Sequence, residues 1–318
     1  MRIKGNKMKL TVTQVEQFLA QHTGQAVTDV MPLTGGEWSQ AFAFNMDGKS
    51  YVVRFGRHVE DYKKDKVASS FASKYLPIVP VTEVGCAFDE YFAISEQAFG
   101  EMLDELDAGS MHRIVPAVMQ MLNALRNADV SKSRGYGMWD ADGDAPHTSW
   151  KEYLLGVGCD DPERRIHGWR EKLANSPTGD RVFMDAHERL KELVEVCPEE
   201  RHLIHGDLLN RNALVKDNQM SAVIDWGNSM YGDFLYDLAW ISYCVFWHPA
   251  MKGIDWEAEA EKYYTSIGVT IPHFKERLLC YKIHIGLDAQ SYNAYMERWD
   301  ELKINTEKTL ELTMKGIR

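Results

Sequence analysis

The run His205-Gly206-Asp207-Leu208-Leu209-Asn210-Arg211-Asn212, followed by Ile224-Asp225-Trp226-Gly227, sets three oxygen-bearing side chains at a spacing that an ordinary loop does not require. Asp207 and Asn212 stand five residues apart, which lets both side chains converge from opposite ends of one loop. Between Asn212 and Asp225, Leu214-Val215 and Ala222 to Ile224 flank a Lys-Asp-Asn-Gln turn, the pattern of a short hairpin that brings Asp225 back toward the loop. An aspartate directly after Ala222-Val223-Ile224 is costly to bury unless something positive meets it. Alone, the Asp207 to Asn212 spacing also reads as a turn aspartate with a nearby capping asparagine. Joined to the hairpin and to Asp225, it reads as a site for a hard cation such as Mg²⁺, which asks for oxygen ligands.

Working outward, residues 201–226 interrupt a long helical stretch. Segments 110–128, 148–157, 181–196, 233–247, 256–266 and 273–298 carry apolar residues at mixed three- and four-residue spacing, as packed helices do. Residues 131–147, rich in Gly, Asp and Ser, read as a long surface loop. Before residue 101 the period differs. Thr13 and Glu16 suggest a capping box for a short helix, and 41–46 and 50–55 read as strands around an Asp47-Gly48 hairpin turn, preceded by Gly35-Gly36. Residues 62–76 read as a helix stopped by Pro77, and 78–95 as two strands turning near Asp89-Glu90. The chain is therefore expected to be α+β: a small N-terminal lobe with an antiparallel sheet over 1–98, a hinge near 95–100, and a larger, mainly helical C-terminal lobe over 99–318.

With 45% hydrophobic and 26% charged residues in 318, a sizeable core is available without disulfides. A formal charge of -11 argues against a nucleic-acid or anionic-membrane surface; it suits either plain solubility or a cationic substrate. The five cysteines are scattered and odd in number, so neither a disulfide framework nor a zinc knuckle is indicated. The basic start MRIKGNKMKL is not followed by an apolar stretch and no segment has the length of a membrane span, which leads us to expect a cytoplasmic, monomeric protein.

Phosphoryl transfer to a hydroxyl needs a carboxylate that accepts the attacking proton and metal ligands that hold the nucleotide's phosphate oxygens. Asp207, Asn212 and Asp225 follow the order and spacing that kinases use for these tasks. No Walker-type G-x-x-x-x-G-K-[ST] is present. The Gly35-Gly36-Glu37-x-Ser39 start, the Tyr51-Val52-Val53-Arg54 strand, the run from Cys197-Pro198-Glu199 to Asp207, and Ala222 to Trp226 continuing into Gly232-Asp233 together resemble the aminoglycoside phosphotransferase family over nearly the whole chain, with its hygromycin B phosphotransferases as the nearest branch.

The resemblance implies a protein-kinase-like bilobal fold. It also implies transfer of the γ-phosphate of ATP or GTP, with Mg²⁺, to a hydroxyl of a small cationic aminocyclitol, hygromycin B first, and antibiotic resistance as the result. A metabolic kinase for choline, an amino-alcohol or a sugar stays open, and so does a binding module without chemistry. By position, the resemblance makes Asp207 the base and Asn212 and Asp225 the metal ligands. Arg54 stands where the family has a phosphate-binding lysine; arginine clamps phosphate differently, and the alternative is a surface arginine ending an edge strand. Asp65 is the candidate to orient Arg54, or else balances Lys63, Lys64 and Lys66. Gly35, Gly36 and Ser39 would form the turn over the phosphates, and backbone groups at Glu96 and Ala98 would read the purine edge. Asp288, Trp240 and Tyr292, with Trp247 and Glu297, would line the acceptor pocket, though each also reads as core or solvated surface. Asp233 and Asp237 are expected to be structural, and His205 to brace the catalytic loop.

Overall fold

The structure, a computed structural model, describes residues 9–34 and 39–315. The described residues form two compact units. The first holds the chain up to Leu106 together with Asp140–Asp144 and Leu209–Asn228; the second holds Asp107–Trp139, Ala145–Leu208 and the chain from Ser229 onward. The run 205–212 thus passes from the second unit into the first between Leu208 and Leu209.

In the first unit, helix α1 (Val12–Thr23) is capped two residues before the expected position. Thr11 and Gln14, not Thr13 and Glu16, exchange the capping-box bonds. Buried Leu10 and Val15 join the same core cluster on either side of that cap, a hydrophobic staple that fixes where the helix begins. The sheet is antiparallel in the order β1 (Val27–Leu33), β2 (Ser39–Met46), β3 (Lys49–Gly56), β5 (Glu90–Glu96), β4 (Val81–Ala87). Asp47 and Gly48 both take positive φ, 51° and 73°, and Met46 pairs with Lys49, as a two-residue turn matched to strand twist requires. Phe42, Phe44, Val53, Phe55, Phe92 and Ile94 bury one face against Val15 and Leu19 of α1. Strand β1 has no counterpart in the sequence reading: Val27 is its only buried residue, and Pro32 is tolerated there because β1 is an edge.

Helix α2 (Val59–Ala68) stops well before Pro77. The hydroxyls of Ser69 and Ser70 donate to the carbonyls of Lys66 and Val67, closing the helix through a short 3₁₀ turn. Beyond β5, Glu101–Met102 pairs with Ala213–Lys216, which in turn pairs with Gln219–Val223, forming the hairpin expected between Asn212 and Asp225. Gly100 is required at this crossing, since a Cβ there would lie 2.5 Å from the Val215 carbonyl oxygen. The far edge of the hairpin is tied by the Val223 N–H donating to the Pro77 carbonyl at 2.7 Å.

The second unit is mainly helical: α3 (Ala108–Arg126), α4 (Trp150–Leu155), α5 (Trp169–Ala174), α6 (Arg181–Leu193), α7 (Leu235–Cys244), α8 (Trp256–Ser266), α9 (Phe274–Met296) and α10 (Trp299–Met314). A small three-stranded sheet lies among them, with Met230–Gly232 between Gly137–Met138 and His202–Ile204. Helix α9 packs against α5, α6, α7 and α10. Its approach to α10 is close, for a Cβ on Gly286 would meet the Thr309 hydroxyl at 2.4 Å. Helix α10 is absent from the sequence reading because three of its five buried positions are Thr306, Thr309 and Asn305, whose side chains bond carbonyls one turn back and erase the apolar period. All five cysteines are free thiols, and among the described residues no helix is long and apolar enough to cross a membrane.

Two buried polar groups of this unit have stability consequences that can be measured. Asp233, fully buried, receives Arg277 Nη2 at 2.6 Å and Nε at 2.8 Å, with the Tyr281 hydroxyl also donating to it. Removing one partner strands the other charge, so Arg277→Ala is expected to cost about 3–5 kcal/mol in chemical denaturation followed by tryptophan fluorescence. His284, buried with its Nδ1 at 2.8 Å from the Tyr236 hydroxyl, is pushed down to about 4, first by burial and then by Arg164 and His187, against the pull of Asp288. Its folded value lies below its unfolded one, so stability held above pH 6.5 is lost as pH falls toward 4. Asp237, raised to about 6, acts oppositely in the same window, and a difference between variants removes that contribution. The advantage of wild type over His284→Gln is therefore expected to shrink by about 2 kcal/mol between pH 7 and pH 5, as measured by denaturant titration at each pH.

Candidate active site

In the second unit, the approach to Asp207 is fixed by one carboxylate. Asp237, on the first turn of α7, accepts the backbone N–H of His205 through Oδ2 and of Gly206 through Oδ1, both at 2.8 Å. Burial raises this carboxyl to about 6 while the two N–H donors oppose the rise. Gly206 has φ 77°, a conformation that favours glycine and turns the chain sharply before the aspartate. The Asp207 N–H then donates to Nδ1 of fully buried His205 at 3.2 Å, so the histidine braces the loop. The Asp207 side chain remains partly exposed.

In the first unit, the loop is caught again four residues on. Arg211, at φ 63°, donates its N–H to Asp104 Oδ2 at 3.2 Å and pairs with Glu105. Neither acid was singled out from sequence, because an isolated Asp-Glu pair carries no pattern of its own. Asn212 is 6% exposed, and its carbonyl accepts the Ile224 N–H at 2.8 Å. The backbones of Asn212 and of the residue preceding Asp225 are therefore adjacent, as the hairpin reading required.

Arg54 lies in β3, between Ala41 of β2 and Ala93 of β5, and so on an interior strand and not an edge. Its guanidinium pairs with Asp65 of α2 and stands 5.1 Å from the Tyr62 ring centroid. Burial works against the charge, but Asp65 and then Asp225 more than offset it and hold the arginine protonated. Asp65 is 5% exposed, and its Oδ1 also accepts the Trp226 N–H at 2.8 Å. One carboxylate thus joins the cation of the sheet to the residue after Asp225. Asp225 itself is exposed by surface area, yet protein atoms crowd its carboxyl. That crowding, then Asp65 and Asp61, push it up to about 6 against the pull of Arg54. Asp61 lies close by, since a Cβ on Gly227 would be 3.5 Å from its Oδ1.

These surroundings fit a divalent cation. Asp225 and Asn212 supply hard oxygen donors, and the three carboxylates of Asp61, Asp65 and Asp225 outnumber the two cations beside them, Arg54 and Lys64. Among the described residues no three His, Cys, Asp or Glu side chains form a preformed metal cage. Mg²⁺ needs none, because it binds through one or two protein oxygens while substrate phosphates and water complete its shell.

The remaining sequence candidates are placed less closely together. Ser39 begins β2 opposite Gly56, whereas Gly35 and Gly36 lie outside the described residues. The Glu96 N–H donates to the Pro80 carbonyl at 3.4 Å and the Gln97 N–H to the Ser50 carbonyl at 2.9 Å; Ala98 follows in irregular chain. In the second unit, Asp288 of α9 pairs with Arg164 at 3.2 Å, Tyr292 lies under Arg298 at 5.4 Å, and the Trp240 indole nitrogen is buried without a protein partner. Trp247 is exposed, and Glu297 pairs with Lys172.

The model of the phosphotransferase enzyme family, APH, matches residues 29–265. Hygromycin-B 4-O-kinase of Escherichia coli is 32% identical over 298 residues, which cover 92% of this chain and 82% of that protein. The crystal structure of aminoglycoside phosphotransferase APH(4)-Ia superposes with a TM-score of 0.83 at 28% identity, covering 96% of this chain and 100% of that one. A thermostable mutant of the same enzyme in ternary complex with AMP-PNP and hygromycin B gives 0.81 at 28% identity, covering 94% and 97%. Aminoglycoside 2'-phosphotransferase-IIIa, at 15% identity and a TM-score of 0.66, shares the fold. With an α+β fold of the protein-kinase-like kind and a family match over most of its length, the chain belongs to the aminoglycoside phosphotransferase family of phosphotransferase enzymes.

Proposed function

We propose that the protein transfers the γ-phosphate of ATP or GTP to a hydroxyl of a cationic aminocyclitol antibiotic, with hygromycin B as the first acceptor, and so confers resistance to it. The observation that carries this reading is the shared Asp65 carboxylate, which holds Arg54 and the residue after Asp225 in one charged cluster beside Asn212. The hygromycin B kinase of Escherichia coli and the hygromycin B complex of APH(4)-Ia support the acceptor, and the formal charge of -11 suits a cationic one.

Asp207 accepts the acceptor hydroxyl's proton as that oxygen attacks the γ-phosphorus, and the bond to the β–γ bridging oxygen breaks. The bonds from Asp237 and His205 limit how far the Asp207 backbone can stray, which keeps the base oriented before substrate arrives. Arg54 binds phosphate oxygens with the part of its planar guanidinium that Asp65 does not occupy, and its protonated state is secured. Asn212 and Asp225 would hold Mg²⁺, which when bound neutralises the phosphate oxygens and the charge that develops on them. Glu96 and Ala98 offer backbone groups to the purine, and Asp288, Trp240 and Tyr292 line the acceptor side.

Asp207→Ala is expected to lower kcat by about 10²–10⁴, the range for loss of a general base, with nucleotide affinity largely kept. A coupled nucleotide assay, with mass spectrometry for one added phosphate on hygromycin B, reads both; substantial residual turnover removes Asp207 from its role. For Arg54→Lys, the KM for nucleotide should rise about tenfold, because an ammonium cannot serve Asp65 and phosphate through one planar fork. A KM equal to that of wild type would show that an ammonium serves this position as well as the guanidinium does, so that the planar fork is not what holds the phosphate.

A further inference from the structure

Three lysines stand within four residues on α2, and only one is buried. Lys64 is 3% exposed, whereas Lys63 and Lys66 lie in solvent. A buried ammonium has three protons to place and a charge to offset, so its partners identify what it is there for. One is Glu60 Oε1 at 3.2 Å, one turn back on the same helix. Glu60 is itself half exposed, and a pair of this kind forms as readily at a solvent-facing lysine. The other partner is 163 residues away: the carbonyl oxygen of Gly227, at 3.2 Å.

That carbonyl is two residues past Asp225. The intervening Trp226 N–H is held by Asp65, the residue next to Lys64. Consecutive residues of one helix therefore grip consecutive residues of one loop, Asp65 by accepting and Lys64 by donating. Asp225 has φ 62°, a left-handed conformation that aspartate adopts more readily than most residues, so it is the direction of its carboxylate that the loop's partners must hold. After Asp225 the chain is held at three points: the Trp226 N–H by Asp65, the Gly227 backbone by the Asp225 carboxyl, and the Gly227 carbonyl by Lys64.

We infer that Lys64 is a positioning residue for the metal: by fixing the Gly227 carbonyl it keeps Asp225 left-handed and its carboxylate set for the cation. This rests on the reading of Asp225 as a metal ligand. The partners of Lys64 are Glu60 and the Gly227 carbonyl, so its loss acts on the metal through the loop, as loss of an outer partner of a metal ligand does.

The test uses the full chain and two readouts, fluorescence of N-methylanthraniloyl-ADP titrated with Mg²⁺ and steady-state kinetics against free Mg²⁺. Lys64→Met is expected to raise the Mg²⁺ concentration for half-saturation about tenfold or more in both, with kcat at saturating Mg²⁺ little changed and metal-free binding of the labelled ADP unaltered. Lys63→Met, which removes the same charge from the solvent face, leaves both titrations as in wild type. Asp225→Asn abolishes the Mg²⁺ response of the labelled ADP. If Asp225→Asn abolishes it while Lys64→Met titrates like wild type, the assignment of Lys64 is overturned and the metal reading stands. A wild-type Mg²⁺ response in Asp225→Asn overturns the metal reading and the inference with it. Should Lys64→Met fail to fold, Lys64→Gln, which keeps a polar but shorter end in the buried position, carries the same expectation and the same refutation.

Discussion

The Asp65 carboxylate is the joint on which the charged cluster of the first unit, the proposed nucleotide site, depends. Buried to 5% exposure, it pairs with Arg54 on an interior strand and accepts the Trp226 N–H at the end of the hairpin. A carboxylate in that position cannot lose either partner cheaply, since the charge left behind is already out of water. It therefore ties the distance between Arg54 and Asp225, the proposed phosphate-binding cation and the proposed metal ligand, to the packing of one helix on one sheet. Asp225 is held near Arg54 despite crowding by Asp65 and Asp61, an arrangement of like charges that a divalent cation would relieve.

Much of this was legible in the sequence. The Asp207, Asn212 and Asp225 spacing, the hairpin between them and the Asp47-Gly48 turn each follow from local rules, and the structure contains both hairpins. Helix α8 was read to the residue; its buried Trp256, Ala260 and Tyr264 recur at four-residue spacing. What was missed has physical causes. Strand β1 buries one residue and so shows no alternation. Helix α10 turns threonines and an asparagine inward, where their hydroxyls and amide are satisfied by the helix's own carbonyls. In Lys63, Lys64 and Lys66 the sequence offers a charge run with nothing to separate the buried member from its neighbours, for that distinction is made by a loop 163 residues away.

The same limit applies on the acceptor side. Asp288 follows an apolar stretch of α9 and reads as an anionic wall, but it meets Arg164, which sits in an irregular segment where no periodicity points to it. A cationic acceptor that uses Asp288 must therefore compete with a guanidinium already there. By contrast, Asp233 and Asp237 divide their work within one short segment. The first anchors α9 through Arg277, and the second fixes the backbone just before Asp207. Stability and the geometry of the proposed catalytic loop thus meet at the start of α7.

The most direct measurement is a pair of affinities in Asp65→Ala, nucleotide without metal and Mg²⁺ in the presence of nucleotide, by calorimetric titration against wild type. If one carboxylate serves both Arg54 and the Asp225 loop, both affinities fall together by about tenfold or more. A variant that folds and loses only one of the two would show that the phosphate-binding cation and the metal loop are held independently, contrary to the shared joint described above.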